Sequence, residues 1–223
     1  MKRVLASFLA LFGGAAAAQP EATVQTIDPK ALRYTMPTVA ADSIEFVMPT
    51  KDTFEGAPQF HEDEWAQLEF FPASRLGEVQ RSLSEYKPFE ESNRGKYGWE
   101  RIYSRSVPRS VFIAGPNAAA RIAAHLEATP GNSPILTTTS RPLGQVKGGF
   151  SIRLSPDTIL YGLENNTGIL ILGALQEAGG DHAILTNVFS KLNLTEHLIM
   201  VDWRGQFILT STQTNGQIEI WRP

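Results

Sequence analysis

Cysteine is absent from the 223 residues. That absence removes disulfides, thiolate metal sites, thiol nucleophiles and a lipid-modified cysteine together. Histidine is scarce, at four residues, and none lies four positions from another as a zincin helix requires. No apolar run reaches the ~20 residues of a bilayer-spanning helix, so no transmembrane segment is expected in the mature chain. A Gly-x-Ser-x-Gly elbow, a phosphate-cradling glycine loop and a dinucleotide fingerprint are all missing. Ser84-Glu85-Tyr86-Lys87 fits a Ser-x-x-Lys pattern. Its serine falls near the end of a helical stretch rather than opening one, and the companion Lys-Thr-Gly and Ser-Asp-Asn elements are absent, so the match is chance. No cofactor is expected, and no catalytic set is legible.

What is present begins with Lys2 and Arg3, an apolar run from Val4 to Phe12, and Ala15-Ala16-Ala17-Ala18. A charged start, a short apolar middle and small residues read as a secretory signal peptide over 1–18, cleaved near Ala18. The expectation is an exported, soluble protein of a bacterial periplasm. Apolar residues make up 42% of the chain and charged residues 19%, which excludes disordered and fibrous classes.

The net charge is −3, but it is unevenly spread. Residues 19–93 carry 14 acidic and 6 basic side chains, and residues 94–153 carry 9 basic and 2 acidic. An acidic, exported chain is a poor partner for nucleic acid.

Residues 19–43, interrupted by Pro20, Pro29 and Pro37, read as an extended leader. Ile44 to Met48 reads as a strand and 49–63 as a loop. Trp65 to Phe71 alternates as a strand. Ser74 is placed to cap a helix carrying Leu76, Val79, Leu83 and Tyr86, with Pro88 as its stop. Strands follow around Trp99–Tyr103 and Val111–Ile113. Asn117 is placed to cap an alanine-rich helix with Ile122 and Leu126, and Ile135 to Thr139 forms a further strand. The order β-α-β-β-α-β over 65–140 is that of a ferredoxin-like sandwich.

In the second half, Phe150 to Leu154 alternates as a strand. Thr158–Leu163 and Ile169–Leu172 form a hairpin across Asn165-Asn166, or else the second run opens a helix ending at Gly179-Gly180. Asp181 caps a helix bearing Leu185, Val188, Phe189 and Leu192. A three-strand meander (198–201, 207–210, 217–221) closes the chain, with Asn215-Gly216 as a hairpin turn. The class is α+β, with antiparallel-rich sheets and helices on one face. The expected units are 44–145 and 146–223, which could equally form one domain.

Two places carry candidate binding chemistry. Arg94, Lys96, Arg101, Arg105 and Arg109 are interleaved with Tyr97, Trp99 and Tyr103. On one strand, Trp99, Arg101, Tyr103 and Arg105 share a face. Such a face binds an anionic or protein partner by charge and stacking; the alternative is that these arginines answer the acidic first third from within. Trp203-Arg204 at a hairpin tip is an interface anchor, or Trp203 is core. His61-Glu62-Asp63-Glu64 is the densest set of metal-ligand types, but adjacent residues point apart, so it reads as a solvated acidic loop. His125, His182 and His197 are single. The expected function is non-catalytic binding of another envelope protein. The alternatives are a hydrolase built on His61, Asp63 and Glu64 with one distant histidine, and a small-ligand carrier.

Overall fold

Alternating apolar residues build the largest element, a nine-stranded antiparallel sheet. The computed structural model describes residues 33–223, which form one compact unit. The expected signal peptide (1–18) and the leader as far as residue 32 lie outside the described residues. In chain order the strands are β1 (Thr38–Ala40), β2 (Phe46–Val47), β3 (Gln59–His61), β4 (Leu68–Pro72), β5 (Arg94–Gly95), β6 (Gly98–Trp99), β7 (Tyr103–Arg105), β8 (Ile113–Ala114) and β9 (Thr129–Gly131). They continue with β10 (Ile135–Thr137), β11 (Pro142–Val146), β12 (Gly149–Ser155), β13 (Thr158–Asn165), β14 (Gly168–Gln176), β15 (Leu198–Asp202), β16 (Phe207–Thr212) and β17 (Ile218–Trp221). The helices are α1 (Lys51–Phe54), α2 (Leu76–Asn93), α3 (Ala118–His125) and α4 (His182–Glu196).

The large sheet runs β17-β16-β15-β4-β14-β13-β12-β9, with β8 also on β14. A smaller sheet has the order β2-β11-β10-β3; β1 and β7 form a parallel ribbon, and β5–β6 is a short hairpin. The class is therefore α+β. The run at Ile169–Leu172 belongs to strand β14, paired along β13, so the hairpin reading holds and the helix reading does not.

Strand alternation sends side chains to two buried faces. Leu198, Met200, Leu209, Phe70 and Leu172 pack with α3 and α4. Ile199, Val201, Ile208 and Phe71 point the other way and pack with Val79, Leu83 and Tyr86 of α2. Further along that second face, Ile159, Tyr161 and Ile171 meet Phe60, Leu136 and Val146 of the small sheet. Helices on one face only, as expected from the sequence, is thus corrected: α2 covers the face opposite α3 and α4.

The ferredoxin-like unit over 65–140 is also corrected. Its four predicted strands do not share a sheet: β4 and β8 join the large sheet, β6 and β7 pair elsewhere, and β10 joins the small sheet. The two helices and the outer strands of the unit were readable, but β5 and β9 were missed and the 99–103 strand is divided into β6 and β7. Pairing was not readable, because the partners of β4, β14 and β15, lie about 100 to 130 residues downstream. Those pairings also run the large sheet across the 145/146 position.

Helix ends differ instructively. Pro88 lies inside α2, which continues to Asn93. The buried stripe Val79, Leu83, Tyr86 is extended by Glu90, a charged residue that an apolar pattern does not show. Helix α3 starts after Asn117, but Asn117 adopts φ 53° and its side chain makes no capping bond. Glu164 of β13 takes that role, accepting from the backbone N–H of Ala118 and of Ala119. Asp181 caps α4 as expected, accepting from Ala183 N at 2.9 Å. No helix among the described residues is long and apolar enough to cross a membrane.

Candidate functional site

The second face of the large sheet carries charge at its centre. Glu69 on β4 is 1% exposed and lies among the strands that separate the two apolar clusters of that face. Arg109 bridges it to Asp42: its Nε and Nη2 donate to the two Asp42 oxygens at 2.6 and 2.7 Å, and its Nη1 donates to Glu69 Oε1. Trp65 Nε1 donates to Asp42 Oδ2 at 3.1 Å. Arg105, 3% exposed, donates to Thr38 Oγ1 at 2.9 Å and to the Ala66 carbonyl at 2.8 Å. Its guanidinium lies 4.8 Å from the centre of the Trp203 ring.

Ala66 is held in the left-handed region, φ 55°. Its N–H is satisfied by the Tyr161 hydroxyl at 2.8 Å, and that hydroxyl donates to the Glu64 carbonyl. Tyr161 lies across Gly173, where a β-carbon would sit 2.9 Å from Cζ of its ring; only glycine leaves room there.

Burial pushes the Glu69 carboxyl above its ordinary range, against the pull of Arg109 and Arg105. Desolvation lowers Arg105 to about 10, which leaves it charged at neutral pH. Arg109 is desolvated too, yet Glu69 and Asp42 raise it above its usual value. Two carboxyl groups, of Asp42 and Glu69, face two guanidiniums, of Arg105 and Arg109, and together they form a clamp. It joins the β1–β7 ribbon to the sheet beneath.

Each residue singled out in the sequence now has a place. Arg105 and Arg109 form the clamp, so the surface expectation is corrected: Arg105 is buried and Arg109 half-buried. Trp203 is fully buried and meets Phe71 edge-on at 6.5 Å, so its interface reading gives way to the core reading. Arg204 is exposed and pairs with Glu64 at 3.1 Å. Tyr103 packs on Tyr86 and Phe89, with ring centres 5.3 and 5.2 Å apart. Trp99 donates to Glu90 Oε1 at 2.7 Å. Arg101 stays exposed and lies over the Phe89 ring, 5.3 Å from its centre. The strand predicted to hold Trp99, Arg101, Tyr103 and Arg105 on one face is broken between β6 and β7, so that shared face does not form.

What remains outward is the β5–β6 hairpin. Glu90 anchors it from below: Arg94 donates two bonds to its carboxylate at 2.7 and 2.9 Å, beside the bond from Trp99. Burial opposes ionisation of Glu90, but the bonds from Arg94 and Trp99 outweigh it and hold the carboxyl below its usual value. Gly98, at φ 126°, lets the Tyr34 carbonyl pass where a β-carbon would stand, so Tyr34 and Trp99 exchange backbone bonds of 2.9 and 3.0 Å.

His61 gathers a hydrolase-like set on the surface: Asp63 Oδ2 is 3.4 Å from Nδ1, and Thr139 Oγ1 is 3.4 Å from Nε2. The backbone N–H of Asp63 donates to Nδ1, so the neutral ring carries its proton on Nε2, facing Thr139. A general base needs that nitrogen unprotonated. Glu64 is engaged by Arg204 instead. Among the described residues no three histidine, aspartate or glutamate side chains converge as metal ligands.

A further concave feature was not readable from the sequence. Beside the N-terminal end of α4 a groove of about 480 Å³ opens over β15–β17, lined by Leu68, Leu185, Met200, Phe207, Leu209 and Ile220. It reaches β17, the outer strand of the large sheet. With Gln176 of β14 its residues come from five strands and a helix, and only the folded chain brings them together. Comparison with family models, with curated proteins and with solved structures finds no match for this chain.

Proposed function

We propose that this is an exported, non-catalytic binding protein of the bacterial periplasm, which takes an extended segment of another envelope protein along β17 and over the adjoining groove. The observation that carries this reading is the contrast between the two edges of the large sheet. The β9 edge has Pro130 at its centre, and proline blunts an edge by removing a backbone donor. The β17 edge has no proline among Ile218–Trp221 and pairs on one side only among the described residues. Ile220 there is 56% exposed. An added strand would gain main-chain bonds from the edge and place alternate apolar side chains toward the groove. Nothing in the His61 arrangement favours catalysis over this reading.

The test introduces Ile220→Lys, a change at an exposed position that leaves the core intact. A photo-crosslinker placed at Gln217 reports contact along β17. The expected result is one specific crosslinked envelope protein with the native sequence and its loss in Ile220→Lys, with unchanged thermal unfolding. Crosslinking that survives Ile220→Lys, or none at all, would overturn the reading.

A further inference from the structure

We infer that the β5–β6 hairpin is a second, separate docking surface, which seats on a membrane with anionic headgroups. The clamp withdraws Arg105 and Arg109 from the basic stretch, and what is left outside is Lys96 in the hairpin turn and Arg101 two residues after its second strand. Tyr97 at the tip is 78% exposed, and Tyr34, bridged to Trp99 beside it, is 41% exposed. Lys96 is exposed, with its ammonium 5.0 Å from the centre of the Tyr97 ring. Arg101 is exposed over Phe89. Neither Lys96 nor Arg101 has a carboxylate partner among the described residues. Of the neighbouring acids, Glu90 is buried under Arg94, and Glu100 pairs with Arg33 at 3.4 Å. Glu91 stays exposed.

Shape and chemistry together select the partner. The hairpin tip lines none of the five principal grooves of the described residues, so none of these encloses a free small anion against it. A convex tip is complementary to a broad surface. Tyrosine, with an apolar ring and a polar end, settles at the headgroup level of a bilayer, and lysine and arginine beside it are drawn to anionic lipid. The Glu90 anchor fixes the tip in advance, so little order is lost on contact. An acidic protein would share the charge but would not need two exposed tyrosine rings.

The experiment is sedimentation of the mature chain, residues 19–223, with vesicles of phosphatidylglycerol mixed with phosphatidylcholine, and with vesicles of phosphatidylcholine alone. Arms with soluble glycerol phosphate and with polyglutamate run in parallel. The native chain should bind the anionic vesicles and weaken as salt rises. Each neutralised cation should cost about fivefold in partitioning, so Lys96→Gln with Arg101→Gln should lose roughly twenty-five-fold. Tyr97→Ala should reduce binding at unchanged salt dependence. Ile220→Lys should bind vesicles as the native chain does, which separates this surface from the β17 groove. Equal binding to both vesicle types, indifference to the Lys96 and Arg101 changes, or capture by polyglutamate in place of vesicles would each overturn the inference. Release by glycerol phosphate at low concentration would overturn the surface geometry in favour of a free anion.

Discussion

Glu69 shows how a buried charge sets both stability and its pH dependence. It lies under the ribbon with Arg109 and Arg105 as partners, and removing one member of such a cluster strands the others away from water. Glu69→Ala should therefore cost about 3 kcal/mol, the low end for a broken buried pair, because Arg109 keeps both bonds to Asp42. The pH dependence has a definite sign. A carboxyl raised above its unfolded value binds its proton more tightly in the native state. Its contribution is present in full below the unfolded value of about 4.3 and is lost as pH rises through the folded value. Glu69→Gln cannot titrate, so its stability should stay flatter above pH ~4.3 than that of the native chain. Urea unfolding over a pH series reads this directly, and superimposable profiles would refute it. The sequence showed that acidic and basic thirds exist, and one reading had the arginines answering those acids internally. It did not show that Arg105 and Arg109 turn inward while Arg101 does not, since nearest-neighbour pattern carries no information about Asp42 or Glu69.

At the level of elements, local signals were legible wherever the residues that make an element also stabilise it. Helix α4 has its cap, Asp181, and its whole buried stripe within its own sixteen residues, and both were readable. The C-terminal meander was readable for the same reason: its strands are consecutive neighbours in the sheet. Helix α2 was misread at both ends and α3 at its start: Ser74 does not cap α2, whose N-cap is Arg75 with no side-chain bond, and a distant or polar residue decides the other two. Glu90 carries α2 past Pro88, and Glu164 caps α3 from β13. The second case gives a clean prediction. Glu164→Ala should destabilise by about 1 kcal/mol, as loss of an N-cap does, while Asn117→Ala should change little, because the Asn117 side chain makes no capping bond. Thermal unfolding of the two variants settles it, and the reverse order would restore the local-cap reading.

Across the whole molecule, the strand order makes the first and second halves one sheet. Strand β4, from the first half, separates β14 from β15 in the sheet and pairs with both. Its Phe70 and Phe71 supply one buried ring to each face. A chain of residues 146–223 alone would retain β12–β14 and β15–β17 but would lose the strand that joins them. It would also lose α2 and the small sheet, which cover the second face. Leu198–Val201, all buried in the full chain, would stand at a raw edge, a configuration that favours aggregation over folding. The expected outcome is that fragment 146–223 fails to give a dispersed amide spectrum. Residues 33–223 should unfold in one transition by circular dichroism and tryptophan fluorescence alike, as a single cooperative core does. Of the four tryptophans, Trp65 and Trp203 lie in the two separate clusters of the second face, so fluorescence samples both ends of it. Two resolved transitions, or a folded 146–223 fragment, would show that the sheet is divisible at β4, and the clamp beneath the ribbon would then be holding together two domains.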